Sequence, residues 1–574
     1  MKNITQLFLL ITGITFLTPL FSSAQNVGIT ADKKMQMHRE VPCDKYSPNP
    51  YNNKLTSPAM RYRSTGIFTA QVNVNSSGQN ILGDAANEPN IAVDPVNPNN
   101  IVIGWRQFDN VLSNFRQAGW SYTSDAGQSW TFPGVIEPGI FRSDPVLDYD
   151  TSGNFYYNSL TSDGNDYWCK VFKSSNSGAT WNTGVDAKGG DKQWMTIDRT
   201  NGVGSGNIYC AWNVQFTTPS CKPSGAFTRS TDGGNSFVDC VEIGGDPRWG
   251  TIAVGNDGEM YVSGTQDQYL GIMVSKSTNV QITGSTITWD PPVQVDMDGY
   301  INGWSSINPV GIQGQANIDV DRSNGPGRGN VYVLATVQRL SNSDPGDVMF
   351  AKSTDGGLTW SFPMQINDDP GTTNTQWFGT MSVAPNGRID AIWLDTRDAL
   401  PGTDYSALYY SYSTDQGNTW TVNEKLSDSF DPHVGYPQQD KMGDYFDMVS
   451  DNIGAHLAWA NTLNGEEDVY YSHIIPDITG IENGKGKDNY YSLTCYPNPV
   501  RSQTMIRYQL PGESSVRLVI CDLSGQEITT LVNKKQTAGI YNVTYSADLL
   551  PAGYYFCRLT AGTHSETTRL VVLK

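Results

Sequence analysis

Lys352-Ser-Thr-Asp-Gly-Gly-Leu-Thr-Trp360 is the stretch that decides the fold, because near-copies of it recur between strand-like segments along most of the chain. Ser121 to Trp130, Lys173 to Trp181, Arg229 to Phe237 and Ser411 to Trp420 repeat the pattern Ser/Thr-x-Asp-x-Gly-x-Ser/Thr-Trp, with Asn176 in place of Asp in the second copy. Each residue type suits a tight turn: Asp accepts backbone N–H bonds, Gly takes positive φ, and Trp covers the hairpin. A residue present in every unit shapes the unit. Chemistry has to be sought where the units differ.

Around these turns the chain resolves into units built of apolar strands and Gly or Asn turns. Their first strands align on Ile91-Ala-Val-Asp94, Leu147-Asp-Tyr-Asp150, Met195-Thr-Ile-Asp198, Ile252-Ala-Val-Gly255, Ile318-Asp-Val-Asp321, Met381-Ser-Val-Ala384 and Met448-Val-Ser-Asp451. A period of about fifty to sixty residues with four short strands is that of a β-propeller blade, whose faces are buried only when neighbours stack. The 57 Gly, 29 Tyr and 15 Trp of the 574 residues agree with a turn-rich, all-β chain. The repeated turn resembles the Asp-box, or BNR repeat, of sialidase-like propellers. The expectation is a β-propeller over 84–476, seven-bladed by this count against six blades in sialidases, followed by a small Ig-like β-sandwich.

Residues 1–24 combine Lys2, an apolar run from Leu7 through Phe21 interrupted by Pro19, and Ser22-Ser23-Ala24, the make-up of a secretory signal peptide. No later stretch is long and apolar enough to span a bilayer. Residues 25–83 are polar and weakly periodic and read as an N-terminal arm lying over the propeller. Export permits disulfides among the eight cysteines, and Cys210 with Cys221 or Cys240 would staple one repeat, the connectivity staying open. Without CxxC pairs or HExxH spacing, no metal site or cofactor is expected. The net charge of −19 excludes nucleic acid and anionic membrane as main partners.

A Gly-, Asn- and Lys-containing linker, 477–490, precedes a last segment, 491–574, with Tyr496-Pro-Asn-Pro-Val500, Arg517-Leu-Val-Ile520, Asp522-Leu-Ser-Gly525, Leu550-Pro-Ala-Gly-Tyr-Tyr-Phe556 and Arg569-Leu-Val-Val-Leu-Lys574. In order and spacing these resemble the C-terminal sorting domain of the type IX secretion system of Bacteroidetes. The resemblance implies export through that machinery, and a place in the medium or at the cell surface, attached to the outer membrane; a monomer is expected.

The column just before the first strands differs from unit to unit: Asn87-Glu88, Ser143-Asp144, Asp191-Lys192, Arg248-Trp249, Gly314-Gln315, Trp377-Phe378 and Asp444-Tyr445. Variation inside a repeated frame is what a site grafted on a repeat looks like. The ends of the second strands add Arg106 and Arg397. Glu88, Asp144, Asp191, Asp444 and Tyr445 are thus the candidate catalytic groups, Arg106, Arg248 and Arg397 the candidate anion ligands, and Trp249 and Trp377, with Trp194, the candidate sugar platforms. The resemblance to sialidases implies a glycoside hydrolase on an extracellular, acidic glycan, although the Arg-Ile-Pro motif of that family is absent. A non-catalytic glycan- or protein-binding propeller is the alternative. A polysaccharide lyase using His433 and Tyr436 is the third.

Overall fold

A computed structural model describes residues 43–47, 55–64, 66–163, 166–214, 217–266, 271–476, 492–496, 500, 502–510, 512–522, 525–537, 539–548, 550–562 and 564–573. The proposed signal peptide, the linker and part of the arm lie outside them. The chain divides into two units, Met1–Pro476 and Asp477–Lys574. Both are all-β, and among the described residues there is no α-helix.

The first unit is a β-propeller. In its first sheet Ala85–Val93, Ile101–Phe108, Gln117–Thr123 and Thr131–Ile136 pair in chain order. Five further sheets follow the same order and a seventh takes its outer strands from earlier in the chain; their inner strands are Ser143–Tyr149, Trp194–Ile197, Ile252–Val254, Asn317–Val320, Gln376–Val383 and Asp447–Ser450. Each inner strand packs on the next, and the last packs on the first, so the ring closes.

An inner strand at a sheet edge leaves backbone groups unpaired. Here channel-facing side chains of one sheet accept the N–H of the next: Asn90 takes Leu147 at 2.7 Å, Asp148 takes Ile197 at 2.7 Å, Thr251 takes Ile318 at 2.9 Å, and Asp319 takes Val383 at 2.9 Å. Ser382 takes Ser450 at 3.0 Å and Asp447 takes Ile91 at 3.1 Å, so six of the seven junctions are bridged in this way. The polar lining of the channel is therefore first a structural device.

The five repeated turns share one hydrogen-bond pattern. At Asp355, Oδ1 accepts Ser353 Oγ at 2.8 Å and the Thr359 N–H at 2.9 Å, Oδ2 accepts Thr359 Oγ1 at 2.6 Å, and Ser353 Oγ takes the Gly357 N–H at 2.8 Å. The turns at Asp125, Asp232 and Asp415 copy it, and Asn176 does so with its amide donating to Thr180 Oγ1. Two successive residues are left-handed, the second always glycine, as at Gly127, Gly178 and Gly417. A Cβ there would also run into the neighbouring sheet: into Tyr471 at 2.2 Å from Gly127, and into Val102 and Phe350 at 2.4 Å from the other two.

The stretch read as an arm is built into the ring. Ile67–Gln71 pairs with Asp468–Ile474, the third strand of the seventh sheet, and Arg61–Ser64 adds outside it. Its apolar side chains explain why: Phe68, Ala70, Val72 and Val74 are buried with Ile91, Trp105 and Tyr471. Cys221 is bonded to Cys240, leaving Cys210 a buried free thiol.

The second unit is a small β-sandwich. A three-stranded sheet (Ser492–Tyr496, Gln503–Leu510, Gly539–Ser546) and a four-stranded one (Glu527–Gln536, Ser514–Cys521, Gly553–Ala561, His564–Val572) enclose Ile506, Leu518, Ile520, Leu559 and Leu570.

Candidate functional site

At the start of the inner strands the backbone does something unusual. Glu88, Asp144, Lys192, Trp249 and Phe378, each three residues before the aligned apolar position, are left-handed with φ of 48°, 47°, 53°, 53° and 55°. The fifth sheet has Gly314, at φ 128°, one residue earlier. For such large side chains the conformation costs roughly 1–3 kcal/mol each. In the first, second and sixth sheets it coincides with a register shift at the strand start. A bulge of this kind re-aims a side chain.

The result is a compact ion cluster at this end of the channel. Arg106 Nε lies 3.2 Å from Glu88 Oε2. Lys192 Nζ lies 2.7 Å from Asp444 Oδ2, 3.3 Å from Asp144 Oδ2 and 3.9 Å from Asp191 Oδ1. Lys441 Nζ bridges Asp444 Oδ2 at 2.6 Å and Glu88 Oε1 at 3.6 Å. Tyr445 donates to Pro145 O at 2.9 Å and meets Trp194 edge to face at 5.3 Å.

The environment splits the carboxyls. Burial lifts Glu88 to about 7 against the pull of Arg106 and Lys192. Burial would raise Asp144 as well, but Lys192, Arg106 and the Ser143 hydroxyl hold it at about 2. Asp444, equally buried, is held well below the ordinary range by Lys192 and Lys441. Burial, together with the charges of Glu88 and Asp144, keeps Tyr445 protonated.

Seven of the eleven residues singled out from sequence meet here: Glu88, Asp144, Asp191, Asp444, Tyr445, Arg106 and Trp194. The other four do not join them. Arg248 is held by Asp246, and Arg397 by Asp368 and Asp395 while lying 4.3 Å over the Tyr409 ring. Trp249 and Trp377 offer no platform, because both are buried: Trp249 among Ile301, Ile312 and Ala316, Trp377 against Phe378 with its indole N–H on Ser406. Sequence reasoning passed over Lys441, whose Lys-x-x-Asp spacing to Asp444 was the available signal. His433 and Tyr436 lie apart from the cluster, His433 bonded to Ser306 O and Asp431.

The cluster is also covered. A segment between the fourth and fifth sheets forms a hairpin, Gly303–Ser305 with Asn308–Ile312, that reaches the seventh sheet. Asn308 donates to Gly443 O at 2.9 Å and accepts the Met442 N–H at 3.1 Å, and the Ile312 N–H binds Asp444 Oδ1 at 3.0 Å. Ile307 plugs into the core beside Phe378, Met442 and Phe446.

On the other side of Trp194 the channel widens into a cavity of about 800 Å³ that runs to the face carrying the repeated turns. Asp148, Asp319, Asp447, Arg199 and Arg322 line it. Among the described residues no group of three or more His, Cys, Asp or Glu side chains is arranged to hold a metal ion.

No curated protein matches the chain. Among solved structures, a protein of unknown function from Dyadobacter fermentans is similar at 14% identity and a TM-score of 0.41, covering 72% of this chain and 100% of that one. An α-L-arabinofuranosidase from Fusarium graminearum (11%, TM-score 0.36, 73% and 98%) and a Hadza microbial sialidase (11%, TM-score 0.35, 68% and 66%) are also similar. No helix among the described residues is long and apolar enough to cross a membrane. Residues 494–573 match the family described as secretion system C-terminal sorting domain. The chain thus ends in a sorting domain of the type IX secretion system, the address of a protein sent to the cell surface or outer membrane.

Proposed function

We propose that the protein is a secreted or surface-displayed propeller that binds an extracellular glycan without cleaving it. The observation that carries this reading is that the groups a glycosidase needs are gathered but shut in. Glu88, Asp144, Asp444 and Tyr445 are each no more than 3% exposed. Glycosidic cleavage needs an acid and a second carboxylate flanking a bound sugar. Here the ammonium groups of Lys192 and Lys441 stand between the carboxylates, and the hairpin lies over them. A ring of opposite charges from distant sheets instead ties the propeller together, at the cost of burying them.

The test is a panel of sialosides, uronic-acid glycans and neutral oligosaccharides offered to the secreted protein. Binding without release of reducing ends is expected, and Glu88→Gln and Asp144→Asn should leave it in place. Release of sugar that falls at least a hundredfold in both variants would overturn the reading.

One observation favours a second reading, a glycoside hydrolase. Glu88 at about 7 beside Asp144 at about 2 is the split that a proton donor and its ionised partner require. In that reading Glu88 protonates the leaving oxygen, Asp144 or Asp444 faces the anomeric carbon, and the hairpin must swing away first. The same assay separates the two.

A further inference from the structure

The cavity of about 800 Å³ falls in the size range of small-molecule sites, and its two ends are built differently. At the inner end stands Trp194, partly exposed, its ring fixed by the edge-to-face contact with Tyr445. At the outer end two loops, 198–207 and 321–330, repeat Asp-Arg-Ser/Thr-Asn-Gly-x-Gly-x-Gly-Asn.

The loops are also copies in space. Asp198 and Asp321 receive the N–H of Thr200 and Ser323 at 2.8 Å, and the Gly206 and Gly329 N–H groups return to the Asp carbonyls at 2.8 and 2.9 Å. Each loop lays its arginine on a channel carboxylate, Arg199 on Asp148 and Arg322 on Asp319 at 2.7 Å. Each also sets an exposed asparagine, Asn201 or Asn324, at the cavity mouth.

Charge decides what such a site attracts. Arg199, Arg322 and Arg328 face Asp148, Asp319 and Asp257, with Asp447 pushed up to about 7 by burial, so positive and negative groups balance in a chain of net charge −19. An acidic sugar finds no favourable field there. An aromatic face with planar guanidinium, carboxylate and amide groups suits a ligand rich in hydroxyls.

Resting on the reading that the propeller binds a glycan, we infer that this cavity is the binding site. It takes the end of an uncharged, hydroxyl-rich saccharide, entering from the face of the repeated turns, opposite to the end singled out from sequence. Asn201 and Asn324 set the entrance and Trp194 receives the sugar ring.

Titration calorimetry on the secreted protein tests this, with neutral oligosaccharides and their sialylated or uronic-acid counterparts as probes. Neutral saccharides should bind with little dependence on salt. Asn201→Trp with Asn324→Trp, which narrows the mouth at two exposed positions, should weaken binding at least tenfold at unchanged melting temperature. Asn324→Trp alone serves if the double variant is unstable, and Trp194→Phe should retain binding that Trp194→Leu loses. Tighter binding of the acidic counterparts, binding of peptides instead of sugars, or neutral binding untouched by the mouth variants overturns this inference alone. If no glycan binds, the functional reading falls with it.

Discussion

Asp355 shows how much one carboxylate can organise. It satisfies four donors of its own turn and, being exposed, does so without any cost of burial in the core. Asp355→Ala should therefore lower stability by about 1–2 kcal/mol, read in chemical denaturation, and leave ligand binding intact. Glu88 gives a prediction of the opposite kind. Its folded pKa, about 7, lies above the ordinary 4.5, so the folded state holds the proton more tightly. That contribution is complete below about 4.5 and is lost as pH rises through 7, with a slope of at most about 1.4 kcal/mol per pH unit. Asp144, held at about 2, has the reverse sign, its contribution being lost as pH falls below 3.8 towards 2. Glu88→Gln should flatten the melting-temperature profile between pH 4.5 and 7; an unchanged slope would refute the assignment. The column containing Glu88, Asp144 and Asp444 was legible from its variation inside a repeat. That its residues are left-handed was not, because Glu, Asp and Lys carry no sign of positive φ as glycine does.

Among the elements, the covering hairpin is the one the sequence concealed. Its strands are short, its polar and apolar residues do not alternate, and the side chain with most bonds to its surroundings is Asn308, bonded to the backbone of Ile312, Gly443 and Met442. Asn308→Ala leaves those buried groups without partners and should cost roughly 2–4 kcal/mol, with faster amide exchange at Met442. If exchange there does not change, the hairpin is held by Ile307 instead. The Cys221–Cys240 bond closes 19 residues of the third sheet. Its loss in Cys240→Ser should cost about 3 kcal/mol, measured under non-reducing conditions. The turns and inner strands, by contrast, were plain, since each repeats its pattern several times. Trp249 and Trp377 misled because an aromatic at a strand start looks the same whether it faces a sugar or a core.

For the whole molecule, the sorting domain and the leader-like start predict a mature form shorter at its N-terminal end by about two dozen residues, and one from which the part after the linker is removed on arrival. Intact mass of the extracellular protein checks both cuts; a surface form keeping Met1 and Lys574 would exclude them. The closure of the ring carries a different consequence. Ile67–Gln71 lies beside Asp468–Ile474, so a strand from the start of the described chain and the last strand of the propeller in chain order are neighbours in one sheet. No chain cut short or still unfinished before Ile474 can seal the ring, because the partner of Ile67–Gln71 is the last part of the propeller to be made. Contacts so distant in sequence form slowly. A propeller fastened by its own two ends stays open until both have been made.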